Sequence, residues 1–310
     1  MIYTVTLNPA VDKTVMIPNF TSGAVNRIQK IRIDAGGKGI NVSKCLQSLG
    51  LDSTVCAILG GNSGNRILSM VKEMGLTVQA VTVDGETRTN LKIVDTERHE
   101  NTDINEPGPA VGEDILLELR GRIAQGITAG DILILSGSLP KGVQPSLYGE
   151  WIRYFAALGV TVILDADGEP MRLGVQAKPG LIKPNDLELS RLVGKPLETE
   201  EDLILAGKEL QNSGIREVLI SRGEKGALYL AEDGIYRAEG LTVPVLSTVG
   251  AGDSMVAAVA CGLEKGMPAS DRLRLAVAMG SASVTCSGTQ APEADLVWEL
   301  YEKVSVCSVP

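Results

Sequence analysis

The chain has 310 residues, 44% of them hydrophobic, which is ample for a well-buried core in a single large domain or two small ones. Its 29 basic against 38 acidic residues give a net charge of -9, which excludes an electrostatic grip on nucleic acid or on an anionic membrane, so an anionic substrate has to meet a local positive site. His99 is the only histidine, and Cys45, Cys56, Cys261, Cys286 and Cys307 lie without CxxC spacing; zinc sites and histidine-based triads are therefore poorly supported, and the thiols are expected to be reduced and mostly buried.

From the N-terminus, IYTVTL reads as a strand followed by a turn, with no basic segment and no long apolar run ahead of it. No signal peptide is expected, no stretch approaches the roughly 20 apolar residues of a membrane span, and the expected location is cytoplasmic. DKTVMIP and NRIQKIRID then alternate apolar and polar residues at period two, the mark of antiparallel strands with one wet face. Next, Ala35-Gly36-Gly37-Lys38-Gly39-Ile40-Asn41-Val42 runs into a helix whose apolar stripe is Val42, Cys45, Leu46 and Leu49. A Gly-Gly pair alone marks no more than a turn, but Lys38 and Asn41 add charge and hydrogen-bond donors at a helix mouth, where a phosphate or a sugar can be held.

STVCAIL is a continuous apolar strand, after which TRTNLKIVD and HENTDIN return to the alternating pattern, with Arg88, Asn90 and Lys92 on one face. Ile115, Leu116, Leu119 and Ile123 form a second helical stripe, and DILIL, TVILD and EVLIS are again continuous apolar runs. Such runs are buried on both faces, so the expected fold is α/β: a doubly wound, mostly parallel sheet flanked by helices, in one domain over residues 1–310. The alternating segments, from about 10–34 and 86–105, are expected to form a small inserted sheet that acts as a lid if it folds over the site. PNDLE suits a helix start, with Asn185 as N-cap and Glu188 in the first turn. Finally, Ser247 to Ser254 reads STVGAGDS ahead of the helical run MVAAVACGL, so two glycines and a row of free amides form an anion hole. Asp253 there is either a charge partner for the helix dipole or a reacting group. Neither glycine loop matches GxxxxGK[ST] or a GxGxxG after a strand, which removes Walker-type and nicotinamide sites.

AGGKGINV and STVGAGDS, in that order, resemble the two glycine signatures of the PfkB/ribokinase family of carbohydrate kinases, and TVTLNPAVDK, TRTNLK, ILSGSLPKG, IKPNDLE and LISRGEKGAL extend the similarity over nearly the whole chain. The resemblance implies a ribokinase-like fold and transfer of a phosphoryl group from ATP, with Mg2+, to a sugar hydroxyl. Asp253 would be the general base and Gly250, Ala251 and Gly252 the anion hole. Asp12 would hold ring hydroxyls, with Gly36, Gly37, Lys38, Asn41, Asn90, Ser136 and Gly137 around the acceptor. Arg88 and Lys38 would take a phosphate that the acceptor already carries, a bidentate task for which a guanidinium is suited.

On the nucleotide side the resemblance places Lys183, Asn185 and Thr248 near the phosphates, Glu188 on Mg2+ through water, Ser221, Gly223 and Gly226 near phosphates or ribose, and Gly280 and Ser283 beside adenine. Arg222 departs from the apolar residue common at its position. Within the family the chain is most similar to members that phosphorylate fructose 1-phosphate at its 6-hydroxyl, with tagatose 6-phosphate as the next acceptor; Lys38 stands where the minor 6-phosphofructokinases carry glycine. A kinase for nucleosides or unphosphorylated sugars, and a sugar-phosphate sensor without turnover, are the competing readings. As in relatives, a homodimer through the lid strands is expected, with Arg27 either reaching the neighbouring pocket or remaining a surface residue.

Overall fold

A continuous Val/Ile/Leu strand exposes apolar side chains on both faces, and each face has to be covered. In the computed structural model, which describes residues 1–310, this requirement is met by one 10-stranded sheet with helices on either side. In chain order β1 (Ile2–Thr6), β2 (Ala10–Ile17) and β3 (Lys30–Gly36) lead into α1 (Lys38–Ser48), β4 (Ser53–Leu59), α2 (Gly61–Glu73) and β5 (Thr77–Thr82). Next come β6 (Arg88–Asp95), β7 (Glu100–Asn105), α3 (Glu113–Gly126), β8 (Ile132–Ser136), α4 (Leu147–Ala156), β9 (Thr161–Asp165), α5 (Gly168–Val175) and the short β10 (Leu181–Ile182). The C-terminal part comprises α6 (Asp186–Val193), α7 (Glu200–Asn212), β11 (Glu217–Ser221), β12 (Ala227–Ala231), β13 (Gly234–Ala238), α8 (Ala251–Glu264), α9 (Ala269–Val284), α10 (Ala294–Tyr301) and β14 (Val306–Val309).

The strands β5, β4, β1, β8, β9, β10 and β11 lie side by side in that order and run parallel, and β12, β13 and β14 extend the sheet antiparallel. One face is covered by α3, α4 and their neighbours through a cluster that includes Leu119, Tyr148, Trp151 and Phe155; the other is covered by α1, α8 and α9 through Val42, Val256, Leu273 and Met279. Full burial of each such side chain contributes about 1.5–3 kcal/mol. The chain leaves β1 toward β4 on one side and returns to β8 on the other. The crevice beyond the carboxyl ends of β1 and β8 is therefore the topological switch point, where open α/β sheets bind ligands.

The alternating segments pair with one another in a separate 4-stranded sheet of order β3-β2-β6-β7. Within it β2–β3 and β6–β7 are antiparallel, but β2 and β6 run parallel, from Ala10 opposite Arg88 to Ile17 opposite Asp95. Alternation reports which face is wet and says nothing of the neighbour's direction; both strands leave the carboxyl ends of parallel strands, so they point the same way. The register sets Asp12 between Asp34 and Asn90, and this face is polar. The opposite face carries Val11 and Ala35, which pack with Ile67 and Val71 of α2, and Val15 and Ile93 farther along.

All five cysteines are unpaired, with Cys45, Cys56 and Cys261 buried. His99 is exposed in the turn between β6 and β7, with a φ of 57°. No helix is long and apolar enough to cross a membrane.

Candidate active site

Gly250 caps α8 in the left-handed region, at φ 86°, and Asp253 sits in the first turn, only 6% exposed. The amides of Gly250, Gly252 and Asp253 make no backbone hydrogen bond within the chain, so three donors at the positive end of the helix remain for a ligand anion. Asn41, from the first glycine loop, donates from Nδ2 to Asp253 Oδ2 at 2.9 Å. The two loops thus meet at the carboxylate.

A residue that the sequence did not single out organises the charges here. Asp165, at the end of β9 and 1% exposed, lies 3.3 Å from Lys38 Nζ through Oδ2 and 3.4 Å from Lys183 Nζ through Oδ1. The Lys183 contact is ionic without hydrogen-bond alignment, and it leaves Oδ1 with an unused acceptor. Burial opposes ionisation of Asp165, but the Lys183 and Lys38 ammonium groups prevail and hold its carboxyl below the usual range. Lys38 is correspondingly raised, chiefly by Asp165. Asp253 goes the other way: burial, and then the negative charge of Asp165, push it up to about 6 against the pull of Lys38, Asn41 and Lys183. A carboxylate poised there is ionised at neutral pH and still basic enough to share a proton with a hydroxyl. Lys183 also approaches the second loop, since a Cβ at Gly252 would lie 3.0 Å from its Nζ.

At the switch point opens a cleft of ≈ 710 Å3 lined by Lys38, Arg88, Ser136, Gly137, Glu188 and Asn8, among others. Ser136 is 1% exposed and its Oγ has no partner, so this hydroxyl is left for a ligand. Arg88 is less free than a phosphate-clasping arginine would be. Its Nε and Nη2 both donate to the Asn8 carbonyl, at 3.2 and 3.0 Å, while Nη1 makes longer bonds of 3.3 Å to the Glu106 carbonyl and 3.4 Å to Asn90 Oδ1. One edge of the fork is committed to backbone, and only the long Nη1 bonds are readily exchanged for phosphate oxygens.

A smaller pocket of ≈ 250 Å3 lies between the polar face of the second sheet, with Asp12, Asp34 and Asn90, and the loops carrying Val249 and Thr289. Asn90 Nδ2 donates to Asp12 Oδ1 at 3.0 Å. Gly36 is needed for this arrangement: a Cβ there would sit 2.0 Å from Asp12 Oδ2. Burial raises the pKa of Asp12, opposed by Asn90, Lys44 and Arg88. Gly37 shares the larger cleft with Lys38. Lys92 shares the smaller pocket and pairs with Asp103 at 3.6 Å, and Arg27 is exposed in the long connection between β2 and β3.

The residues expected around a nucleotide divide into two groups. Lys183, Gly250, Gly252 and the exposed Thr248 lie at or beside the start of α8. Asn185 and Glu188 form a reciprocal capping box on α6, with Asn185 Oδ1 accepting from the Glu188 amide at 2.8 Å and Glu188 Oε2 from the Asn185 amide at 2.9 Å. The helix-start reading of PNDLE is therefore realised, and Glu188 additionally lines the cleft. Ser221 bridges to Asn185, and Gly223 is exposed at φ 58°.

Gly226 is placed differently from the expectation. It is buried where a Cβ would strike the Ala238 carbonyl at 2.1 Å, so a backbone crossing, and no open ligand surface, accounts for it. Gly280 and Ser283 are buried where α9 packs on α8; a Cβ at Gly280 would meet Met255 Cγ at 3.1 Å and the Ala251 carbonyl at 3.9 Å, and Ser283 Oγ donates to the Gly280 carbonyl at 2.8 Å. Arg222 is occupied by ion pairs to Glu200 and Asp186, which tie it to α6 and α7. Besides Asp165, the residues that sequence reasoning missed are Thr6, whose Oγ1 accepts from the Ile40 amide at 3.1 Å and caps α1, Asn8, which fixes Arg88, and Lys44, taken up below.

No group of three or more His, Cys, Asp or Glu residues is arranged to hold a metal ion. Glu188 lines the cleft together with Asp167 and Glu169, and a magnesium ion sharing Glu188 through water would rest mostly on phosphate oxygens.

The pfkB family of carbohydrate kinases matches residues 5–296. The chain is similar to the 1-phosphofructokinase of Haemophilus influenzae, at 36% identity over 99% of this chain and 98% of that protein. It is also similar to the 1-phosphofructokinase of Escherichia coli (strain K12), at 36% over 92% of this chain and 91% of the relative. Among solved structures, phosphofructokinase-2 from Escherichia coli in complex with fructose-6-phosphate superposes with a TM-score of 0.92 at 30% identity, covering 97% of this chain and 98% of that one.

Proposed function

Because the chain belongs to the pfkB family of carbohydrate kinases and is a phosphotransferase with a hydroxyl acceptor, we propose that it transfers the terminal phosphoryl group of ATP to the 6-hydroxyl of fructose 1-phosphate, giving fructose 1,6-bisphosphate and ADP. The observation that carries this reading is the convergence of a buried, pKa-raised Asp253 with the cations Lys38 and Lys183 beside three free amides. In this reading the hydroxyl proton passes to Asp253, the sugar oxygen bonds to the terminal phosphorus as its bond to the bridging oxygen breaks, and the amides of Gly250, Gly252 and Asp253 hold the charge on the transferred group. Magnesium, when bound, supplies neutralisation of the phosphate charge. Lys38, released from Asp165, and the Nη1 side of Arg88 would hold the phosphate of the acceptor, with Asp12 and Asn90 on its hydroxyls.

An ADP-release assay with fructose 1-phosphate, tagatose 6-phosphate and fructose 6-phosphate tests the proposal. Turnover best with fructose 1-phosphate is expected; no turnover with any ketose phosphate would remove it and leave the sensor reading, which titration without ATP consumption would support. Arg88→Ala is expected to raise the KM for the acceptor by about 10- to 100-fold with a smaller change in kcat, since the lost contact is made equally in ground and transition states. An unchanged KM would point to an acceptor without a phosphate.

We further propose that the second sheet acts as a lid and joins two copies of the chain. Its edges β3 and β7 are open, and Val25, Ile28, Ile31 and Ile104 are 83%, 45%, 50% and 52% exposed. Unpaired strand edges with apolar flanks call for cover. Light scattering behind gel filtration is expected to give a dimer, and Ile31→Lys to shift it toward monomer; a monomeric wild type counts against the dimer.

A further inference from the structure

Next to the base lies a lysine with no part in the chemistry so far. Lys44 follows Asn41 by one turn of α1 and is 8% exposed; its Nζ donates to the Ala35 carbonyl at 2.5 Å and to Asn41 Oδ1 at 3.3 Å. Asn41 in turn donates from Nδ2 to Asp253 Oδ2 at 2.9 Å. An ammonium carries three protons and no lone pair, so the Asn41 atom that faces it has to be the oxygen. The other end of the amide, the NH2 group, then faces Asp253. Amide orientation is decided by such networks, and this one admits a single orientation.

We propose that Lys44 is a positioning residue: it locks the Asn41 amide so that Asp253 meets only a donor, which favours the ionised carboxylate that accepts the hydroxyl proton. This rests on the kinase reading above. A protonated Asp253 would donate its O–H to an amide oxygen, whereas an ionised one only accepts. An unlocked Asn41 can turn and accept the O–H of the acid; a locked one offers only a donor, which the carboxylate accepts more strongly than the carbonyl oxygen of the acid does. The lock therefore opposes burial and the nearby Asp165. The groups facing Asp253 are Asp165 from β9, Lys38 and Asn41 from α1, and Lys183 from beyond β10. Those facing Lys44 are Asp34 from β3, Asp12 from β2, Cys45 on its own helix and Asp253 from α8. Burial prevails and lowers the Lys44 pKa from its usual value, while these neighbours work to keep its charge.

The test is kcat/KM against pH for the wild type, Lys44→Met, Lys44→Gln and Lys44→Arg, using ATP and the best ketose phosphate. Lys44→Met is expected to move the acid limb up by about 0.5–1 pH unit, with a loss of roughly tenfold near pH 6 that recovers above pH 8 and a KM for ATP within about twofold of wild type. Lys44→Gln keeps hydrogen bonds but brings an acceptor, so it should behave like Lys44→Met, and it carries the test if the Met variant fails to fold. Lys44→Arg is donor-only and should retain the wild-type limb. In an Asn41→Leu background the effect of Lys44→Met should shrink to less than about twofold, because the lock acts through the amide. Coincident acid limbs for wild type, Met and Gln, or a loss equal at every pH, would overturn the proposal. A wild type inactive with every ketose phosphate would instead strike the kinase reading itself.

Discussion

Asp253→Asn is expected to lower kcat by about 10²- to 10⁴-fold while making the protein more stable. The loss follows from removing the carboxylate in the first turn of α8, with little effect on shape, so the KM for ATP should stay within a few-fold. The gain has the same origin as the catalytic pKa. Burial and Asp165 raise Asp253 from 3.8 to about 6. Between those values the folded protein keeps a proton that the unfolded chain has lost, so stability falls as pH rises through this window. At neutral pH the native state carries an ionised carboxylate at a cost of roughly 2–3 kcal/mol, which the neutral amide avoids. A rise in melting temperature on the order of 5 °C at pH 7, absent below pH 4, is the expected signature. In the wild type, activity should climb about tenfold per pH unit below 6 and level off above it. A variant that keeps more than a tenth of wild-type kcat would show that another group takes the proton.

Asp165→Asn is the substitution expected to destabilise most. It leaves the Lys183 ammonium, 4% exposed, and the Lys38 ammonium without their shared counter-charge. Breaking a buried ion pair from one side costs about 3–5 kcal/mol, which corresponds to a fall in melting temperature on the order of 10 °C. The pH dependence has the opposite sign to that of Asp253. The folded-state pKa of Asp165 is depressed, so its contribution is present above about pH 4 and is lost as pH falls through the lower folded value. Thermal melts of wild type and variant should therefore differ at pH 7 and converge in acid. Removing this negative charge also relieves the push on Asp253, so the acid limb of residual activity should move down. Equal melting temperatures at pH 7 would mean that the two lysines find other partners.

The parallel strands were legible because burial on both faces leaves an unbroken apolar run, as in DILIL and TVILD. The second sheet was legible in its faces, yet the parallel pairing of β2 with β6 was not, since alternation carries no information on direction. Gly226 shows the limit of reading glycines: a loop that admits a ligand and a backbone that admits another backbone leave the same letter. At Asn185 and Glu188 the local helix-start signal was correct, because a capping box is complete within four residues.

What the sequence determined by itself is what short-range physics enforces: strand and helix periods, two glycine loops at helix starts, and a carboxylate and a lysine placed at their mouths. Only the tertiary structure decided how those groups are charged. Asp165 stands 127 positions from Lys38, and Lys44 looks from its spacing like any helix lysine. Desolvation and ion pairing depend on distance in space, so the raised pKa of Asp253, the clamp of two lysines on Asp165 and the orientation of Asn41 arise only where the ends of β1, β8 and β9 meet the first turns of α1 and α8.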